Sequence, residues 1–240
     1  MGKTSNRTNN LTNFRNYGTK VVAFSRAAKV LADPFILERL MQGFEQVFGD
    51  GAQERFGEML PIAEERFVLV QDGESIPLGE RDLKVIHTPG HDPNHLCFLD
   101  TKSRGLFCGD ALGAYFSDIK GRLPSCILGS DPILILQSID KLRELNPAIL
   151  LFSHGGAIKG ATREVAKIIQ HVGNDERQCI DIALKALKAG KDREEMANSL
   201  ADVLVKDSTL TKEDYLGSSP YFKSLMVGGY RQYFKKKNMI

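Results

Sequence analysis

The sequence predicts an α/β domain followed by a helical extension, and three observations carry that reading. Short apolar or β-branched runs alternate with segments of helical periodicity up to about residue 160. Glycine, proline and Asn-Pro punctuation separates those runs. From Thr162 onward the apolar residues recur at helical spacing instead. The division suggested is a domain over residues 1–162 and a helical region over residues 163–240, and 240 residues with 42% hydrophobic content suffice for a buried core.

Taken in order, residues 20–24 form a short β-branched run that reads as a strand, and Ile36, Leu37, Leu40, Met41, Phe44 and Val47 mark one helix face over residues 34–48. Strands are expected at 67–70 and 83–86, with Gly73, Pro77 and Gly79 read as the turns between them. Residues 95–99 and 105–108 flank a turn at 100–104, which is a hairpin pattern. Asp131-Pro132 supplies an N-cap and a first-turn proline to a helix with Ile135, Ile139, Leu142 and Leu145 on one face, and Asn146-Pro147 stops it. Residues 148–152 form a short apolar, buried strand. Beyond it, Val165, Ile168, Ile169 and Val172, then Ile180, Ala183, Leu184 and Leu187, predict helices, one of them ended by Gly190, and a further helix is expected over 193–206. The aromatic tail at 215–240 repeats at near-helical spacing and closes on Lys235-Lys236-Lys237, a solvated helix end.

Composition excludes several function classes. Thirty-two basic residues against thirty acidic ones leave a formal charge of +2, too balanced for nucleic acid or a membrane surface as the main partner. The four cysteines, Cys97, Cys108, Cys126 and Cys179, show no metal-knuckle or disulfide spacing and read as buried thiols. The first thirteen residues lack a signal-peptide core, and no run approaches the ~18 apolar residues of a membrane span. A reducing, cytoplasmic setting and a small-molecule substrate are the expectation.

Chemistry concentrates in three places. His87-Thr88-Pro89-Gly90-His91, Phe107-Cys108-Gly109-Asp110 and Phe152-Ser153-His154-Gly155-Gly156 each follow an apolar run, so a rigid sheet would present His91, Asp110 and His154 at its edge. A glycine beside each lets the chain turn sharply or approach closely. Two imidazoles and a carboxylate suit zinc, and also iron or manganese. Of the neighbours, His87 reads as an orienting hydrogen-bond residue, His95 as packing or capping near the site, Asp92 as a turn residue, His171 as a helix-surface residue and Cys108 as buried packing.

These three motifs, in this order and spacing, resemble the metallo-β-lactamase superfamily and its glyoxalase II-like members over about residues 18–160. The resemblance implies an αββα sandwich, short at its N-terminus, with a metal centre at the sheet edges and a C-terminal helical extension. It implies a hydrolase of the ester, thioester or lactone class that uses its metal to activate water. By the same resemblance His91 binds one metal, Asp110 bridges two and His154 binds the other.

That family also carries a His-x-His-x-Asp-His motif before a strand like the one at residues 20–24, whereas no histidine here precedes His87. One alignment puts Gly2 and Thr4 in the first histidine places with Asn6 and Arg7 in the Asp-His places. Another uses Ser5, Arg7, Asn9 and Asn10. Arginine stays protonated and cannot ligate, and an asparagine amide is a weak ligand and no general base. The expectation is therefore an impaired centre, in which the three remaining ligands hold one metal weakly or have lost it. Two rivals are a non-catalytic scaffold that keeps the fold, and a truncated product of a longer hydrolase with an exposed sheet edge. The helical region either covers the site or joins two copies into a homo-oligomer.

Overall fold

The computed structural model describes residues 18–49, 51, 54, 57, 59–116, 121–217 and 220–240, so the degenerate-motif assignments at residues 2–10 lie outside the described residues. The chain divides into two compact units between Gln71 and Asp72. In the first, strand β1 (Val21–Ala23) pairs in parallel with β2 (Phe67–Leu69), and a parallel pair requires an intervening crossover. Helices α1 (Ser25–Ala32) and α2 (Pro34–Phe48) supply it. Helix α2 starts where the sequence places it because Asp33 accepts hydrogen bonds from the amides of Phe35 (2.9 Å) and Ile36 (3.2 Å), with Pro34 at the first position. Helix α1 has no side-chain cap and no clear sequence signal.

The second unit is built on a six-stranded sheet. Its strands are β3 (Ser75–Leu78), β4 (Arg81–His87), β5 (Leu96–Asp100), β6 (Gly105–Gly109), β9 (Ile149–Phe152) and β10 (Ala157–Lys159). Their spatial order is β10-β9-β6-β5-β4-β3, antiparallel throughout except for the parallel pair β6–β9. The remaining strands, β7 (Ala114–Phe116) and β8 (Gly121–Leu123), form a separate hairpin. Segment 75–78, expected to be turn, is a strand despite Pro77, and β3 is an edge of the sheet, where a missing N–H is tolerated. The β5–β6 turn is held by Asp100, whose carboxylate accepts from the amides of Lys102 and Ser103, the Ser103 hydroxyl and the Arg81 guanidinium.

Helix α3 (Pro132–Glu144) begins at Asp131, whose carboxylate accepts from the amides of Ile133 and Leu134, both at 3.1 Å. Asn146, in the left-handed region at φ 49°, ends it ahead of Pro147. Residues 162–188 form one helix, α4 (Thr162–Lys188), which runs uninterrupted through Gly173. A Cβ at that glycine would stand 3.2 Å from Ile139, so its absence permits the close approach of α4 to α3. Gly190, at φ 69°, ends α4 as expected. Helices α5 (Arg193–Leu204), α6 (Lys212–Gly217) and α7 (Pro220–Lys236) complete the chain.

A single hydrophobic core joins the sheet residues Ile86, Cys97, Leu106 and Leu150 to Ile139 of α3 and to Tyr230 and Phe234 of α7. The helices after residue 162 therefore share the interior of the sheet unit. Inside that interior Tyr230 donates to Glu176 at 2.8 Å, and burial pushes the Glu176 carboxyl up from its ordinary 4.5 to about 7. The four cysteines are free and buried, and among the described residues no helix is long and apolar enough to cross a membrane.

Two outcomes are expected from this packing. Ile139→Ala empties a site between sheet and α4 and should cost about 2–5 kcal/mol in a urea denaturation series. Glu176 binds its proton more tightly folded than unfolded, so its contribution is fully present below pH 4.5 and is lost as pH rises through 7. The melting temperature of Glu176→Gln, relative to the parent, should accordingly rise between pH 5 and pH 8.

Candidate metal centre

The turn that carries His91 is forced by packing. Gly90 sits at φ 136°, and a Cβ there would lie 2.4 Å from the backbone nitrogen of Ile135, so the first turn of α3 docks directly on the His-Thr-Pro-Gly-His segment. Two hydrogen bonds tie that contact: Asp131 N–H to the Gly90 carbonyl (2.8 Å) and the Ser138 hydroxyl to the Pro89 carbonyl (2.7 Å). Gly109 plays the same part at the end of β6. It holds φ 51°, and its missing side chain leaves room for the His95 ring, 2.4 Å from where a Cβ would stand.

Within that frame the Asp110 carboxylate lies between two imidazoles. Its Oδ2 faces His91 Nε2 at 3.9 Å and its Oδ1 faces His154 Nε2 at 3.6 Å, distances at which neither pair closes a direct hydrogen bond. The other nitrogen of His91, Nδ1, lies 2.6 Å from the Ser125 carbonyl. A carbonyl can only accept, so the proton of the neutral ring sits on Nδ1, and Nε2 presents its lone pair toward Asp110. The Ser125 hydroxyl donates in turn to the Asp110 carbonyl at 2.7 Å. His154 is the most open of the three, with a side chain 67% exposed against 20% for His91 and 30% for Asp110. Its backbone carbonyl accepts from Tyr115 N–H in the middle of β7.

His95 is the residue whose role the sequence understates. Its Nε2 accepts the backbone N–H of Asp110 at 3.0 Å, which puts the ring proton on Nδ1, where it reaches the Thr88 hydroxyl at 2.7 Å. Burial, reinforced by the neighbouring His91, holds the His95 pKa below its ordinary value, so the neutral form that can accept is the favoured one. His87 donates to the Pro93 carbonyl at 3.0 Å. Asp92 caps its own turn by accepting from Asn94 N–H, and His171 pairs with Asp207 on the surface of α4. Cys108 donates to the Leu151 carbonyl, and burial raises its thiol far above the range in which a thiolate ligand forms. Ser125 and Ser130 carry no sequence signal; they lie on the loop between β8 and α3 and reach the centre only through the fold.

The donor set suits a divalent cation: the neutral Nδ1–H ring of His91, oriented by the carbonyl behind it, offers the Nε2 lone pair to a carboxylate oxygen across a gap of 3.9 Å. Among the described residues no three His, Cys, Asp or Glu side chains converge on one point. The geometry is thus one carboxylate with an oxygen toward each of two histidines, in place of a single three-ligand cage.

Comparison with known proteins bears on this arrangement. The family model of the metallo-beta-lactamase superfamily matches residues 23–154. The metallo-beta-lactamase fold-containing protein ST1585 of Sulfurisphaera tokodaii is 30% identical over 142 residues, which cover 59% of this chain and 53% of that protein. Its crystal structure aligns with a TM-score of 0.59 at 27% identity, covering 69% of this chain and 61% of that one. A metallo-beta-lactamase family protein of Thermus thermophilus aligns over 94% of this chain and 69% of its own with a TM-score of 0.62 at 17% identity, a likeness of fold alone. The hydroxyacylglutathione hydrolase of Hahella chejuensis is 39% identical over 80 residues, which cover 32% of this chain and 28% of that enzyme. The chain therefore spans about half, or less, of the length of these curated relatives. The αββα class with C-terminal helices expected from the motifs is the fold these likenesses show.

The His95 bond generates a specific expectation. His95→Ala leaves the Asp110 N–H without its acceptor and should cost about 1–3 kcal/mol in a chemical denaturation series, whereas His87→Ala, outside the centre, should cost less.

Proposed function

Because the chain belongs to the metallo-beta-lactamase superfamily, we propose that it is a metal-dependent hydrolase of the ester, thioester or lactone class, with His91, Asp110 and His154 as metal ligands. The observation that carries the reading is the Asp110 carboxylate set between two imidazoles, one of them locked by Ser125 with its lone pair turned inward. The hydroxyacylglutathione hydrolases among its relatives favour the thioester member of the class. Zinc suits the donors best, and iron or manganese share them. Bound there, the metal supplies Lewis acidity toward a carbonyl oxygen and toward water.

The protein's own contribution is preorganisation. The Ser125 carbonyl holds His91 in the tautomer that ligates, and the Ser125 hydroxyl and His95 fix the Asp110 backbone from two sides. Substrate approaches from the side of His154, the most exposed member of the set.

One observation favours a second reading, a scaffold that keeps the fold without the reaction: no three potential ligands converge among the described residues. The two readings separate on metal repletion. The hydrolase predicts that zinc raises the melting temperature, with a gain of about 2.7 kcal/mol at a hundredfold excess over Kd, and that His154→Ala removes the gain together with zinc-dependent thioester hydrolysis. A protein that retains no zinc after repletion and desalting, and melts at the same temperature with and without it, rejects the hydrolase.

A further inference from the structure

Helix α7 carries two adjacent glycines, Gly228 and Gly229, in its interior, where each costs about 1 kcal/mol relative to alanine. Gly229 has a packing reason for that cost. A Cβ there would stand 2.4 Å from the carbonyl oxygen of Ile127 and 2.6 Å from its carbonyl carbon, atoms that move only if the loop backbone moves. At Gly228 a Cβ would meet only the side chain of Leu128, which is 43% exposed and has room to rotate. One turn on from Gly228, Gln232 accepts a hydrogen bond from Gly129 N–H at 2.9 Å. The helix thus grips the backbone of residues 127–129 at two points, by contact and by hydrogen bond.

The opposite edge of the same loop orients the candidate ligands. Ser130 N–H donates to the Ile127 carbonyl against which Gly229 packs, and the Ser130 hydroxyl donates to the His91 carbonyl at 3.0 Å. At the start of the loop the Ser125 carbonyl takes the Nδ1 proton of His91 and the Ser125 hydroxyl reaches the Asp110 carbonyl. A displacement of residues 127–129 is therefore transmitted to both ligands through peptide units that have few alternative positions.

We propose that helix α7 is a clasp for the metal centre, with Gly229 and Gln232 as positioning residues that hold His91 and Asp110 in register through the loop of residues 125–130. The inference rests on the reading of those two residues as metal ligands. It gives the C-terminal helices a function distinct from covering the site or joining two copies: they set ligand geometry from behind.

The test compares Gly229→Ala, Gln232→Ala and, as the matched control, Gly228→Ala in the full chain. Two-bond ¹⁵N–¹H correlation spectra of the metal-free proteins report the tautomer of each histidine ring, with His91 assigned by its loss in His91→Ala. The clasp predicts a Nδ1–H ring for His91 in the parent, and displacement of its resonances with a mixed tautomer in Gly229→Ala. A smaller shift in the same direction is expected in Gln232→Ala, and none in Gly228→Ala. His171, paired with Asp207 on the surface of α4, should stay in place throughout. Zinc titration of the same proteins should show affinity about tenfold weaker in Gly229→Ala. Unchanged His91 signals in folded Gly229→Ala or in Gln232→Ala, or an equal displacement in Gly228→Ala, overturn the proposal. Should Gly229→Ala fail to fold, Gln232→Ala against Gly228→Ala decides alone. A parent that binds no zinc yet shows the predicted tautomer changes overturns the ligand reading and the metal-centre clasp with it, leaving α7 only as a positioning element for His91, and a zinc-binding parent whose His91 ignores α7 overturns the clasp alone.

Discussion

The peptide group and hydroxyl of Ser125 are what the candidate centre depends on. A neutral imidazole has one ring proton, and the Ser125 carbonyl claims it for Nδ1 of His91, so the remaining lone pair turns toward Asp110. The same residue's hydroxyl holds the backbone of Asp110. Without that pair of bonds His91 and Asp110 would be two polar side chains on separate loops, each free to satisfy itself in water. With it, an acceptor nitrogen and an acceptor carboxylate are held facing one another, an arrangement that gains from a cation between them.

Holding such groups together has a packing requirement, and the structure meets it with backbone kept close to its neighbours. Gly90 admits the first turn of α3, Gly109 admits the His95 ring, and Gly173 admits Ile139. In the first two a side chain would collide at a separation no real Cβ adopts, and the backbone is in the left-handed region as well, so two independent reasons select glycine. Helix α3 gains from the same economy. Its N-cap residue Asp131 stabilises the helix start with its carboxylate while its own N–H binds the Gly90 carbonyl, which joins helix initiation to the turn that carries His91.

The C-terminal helices belong to the same interior as the sheet, so the boundary that periodicity suggests near residue 162 marks a change of secondary structure within one packing unit. The buried Glu176–Tyr230 pair shows the consequence. A carboxyl taken out of water between α4 and α7 favours its neutral form, and the Tyr230 hydroxyl satisfies it. Such a pair is stable only where both helices are fixed by the surrounding apolar residues.

How much of this was legible in the sequence follows from the range of each interaction. Helix α2 is read from its apolar periodicity and α3 from its Asp131-Pro132 start, both local signals, and in the structure Asp33 and Asp131 cap the two helices within three residues. Strand β3 is hidden by Pro77, whose cost vanishes only because β3 lies at a sheet edge, and α4 reads as several helices because nothing local shows that Gly173 faces Ile139. The sequence by itself nominated His91, Asp110 and His154 as candidate donors and determined the glycine turns beside them, since residue chemistry and backbone freedom are local properties. Only the tertiary structure decided which nitrogen of His91 carries the proton, that each oxygen of Asp110 faces a different histidine, and that α7 backs the loop between. Those depend on partners 19 to 103 residues apart in the chain, which packing alone brings together.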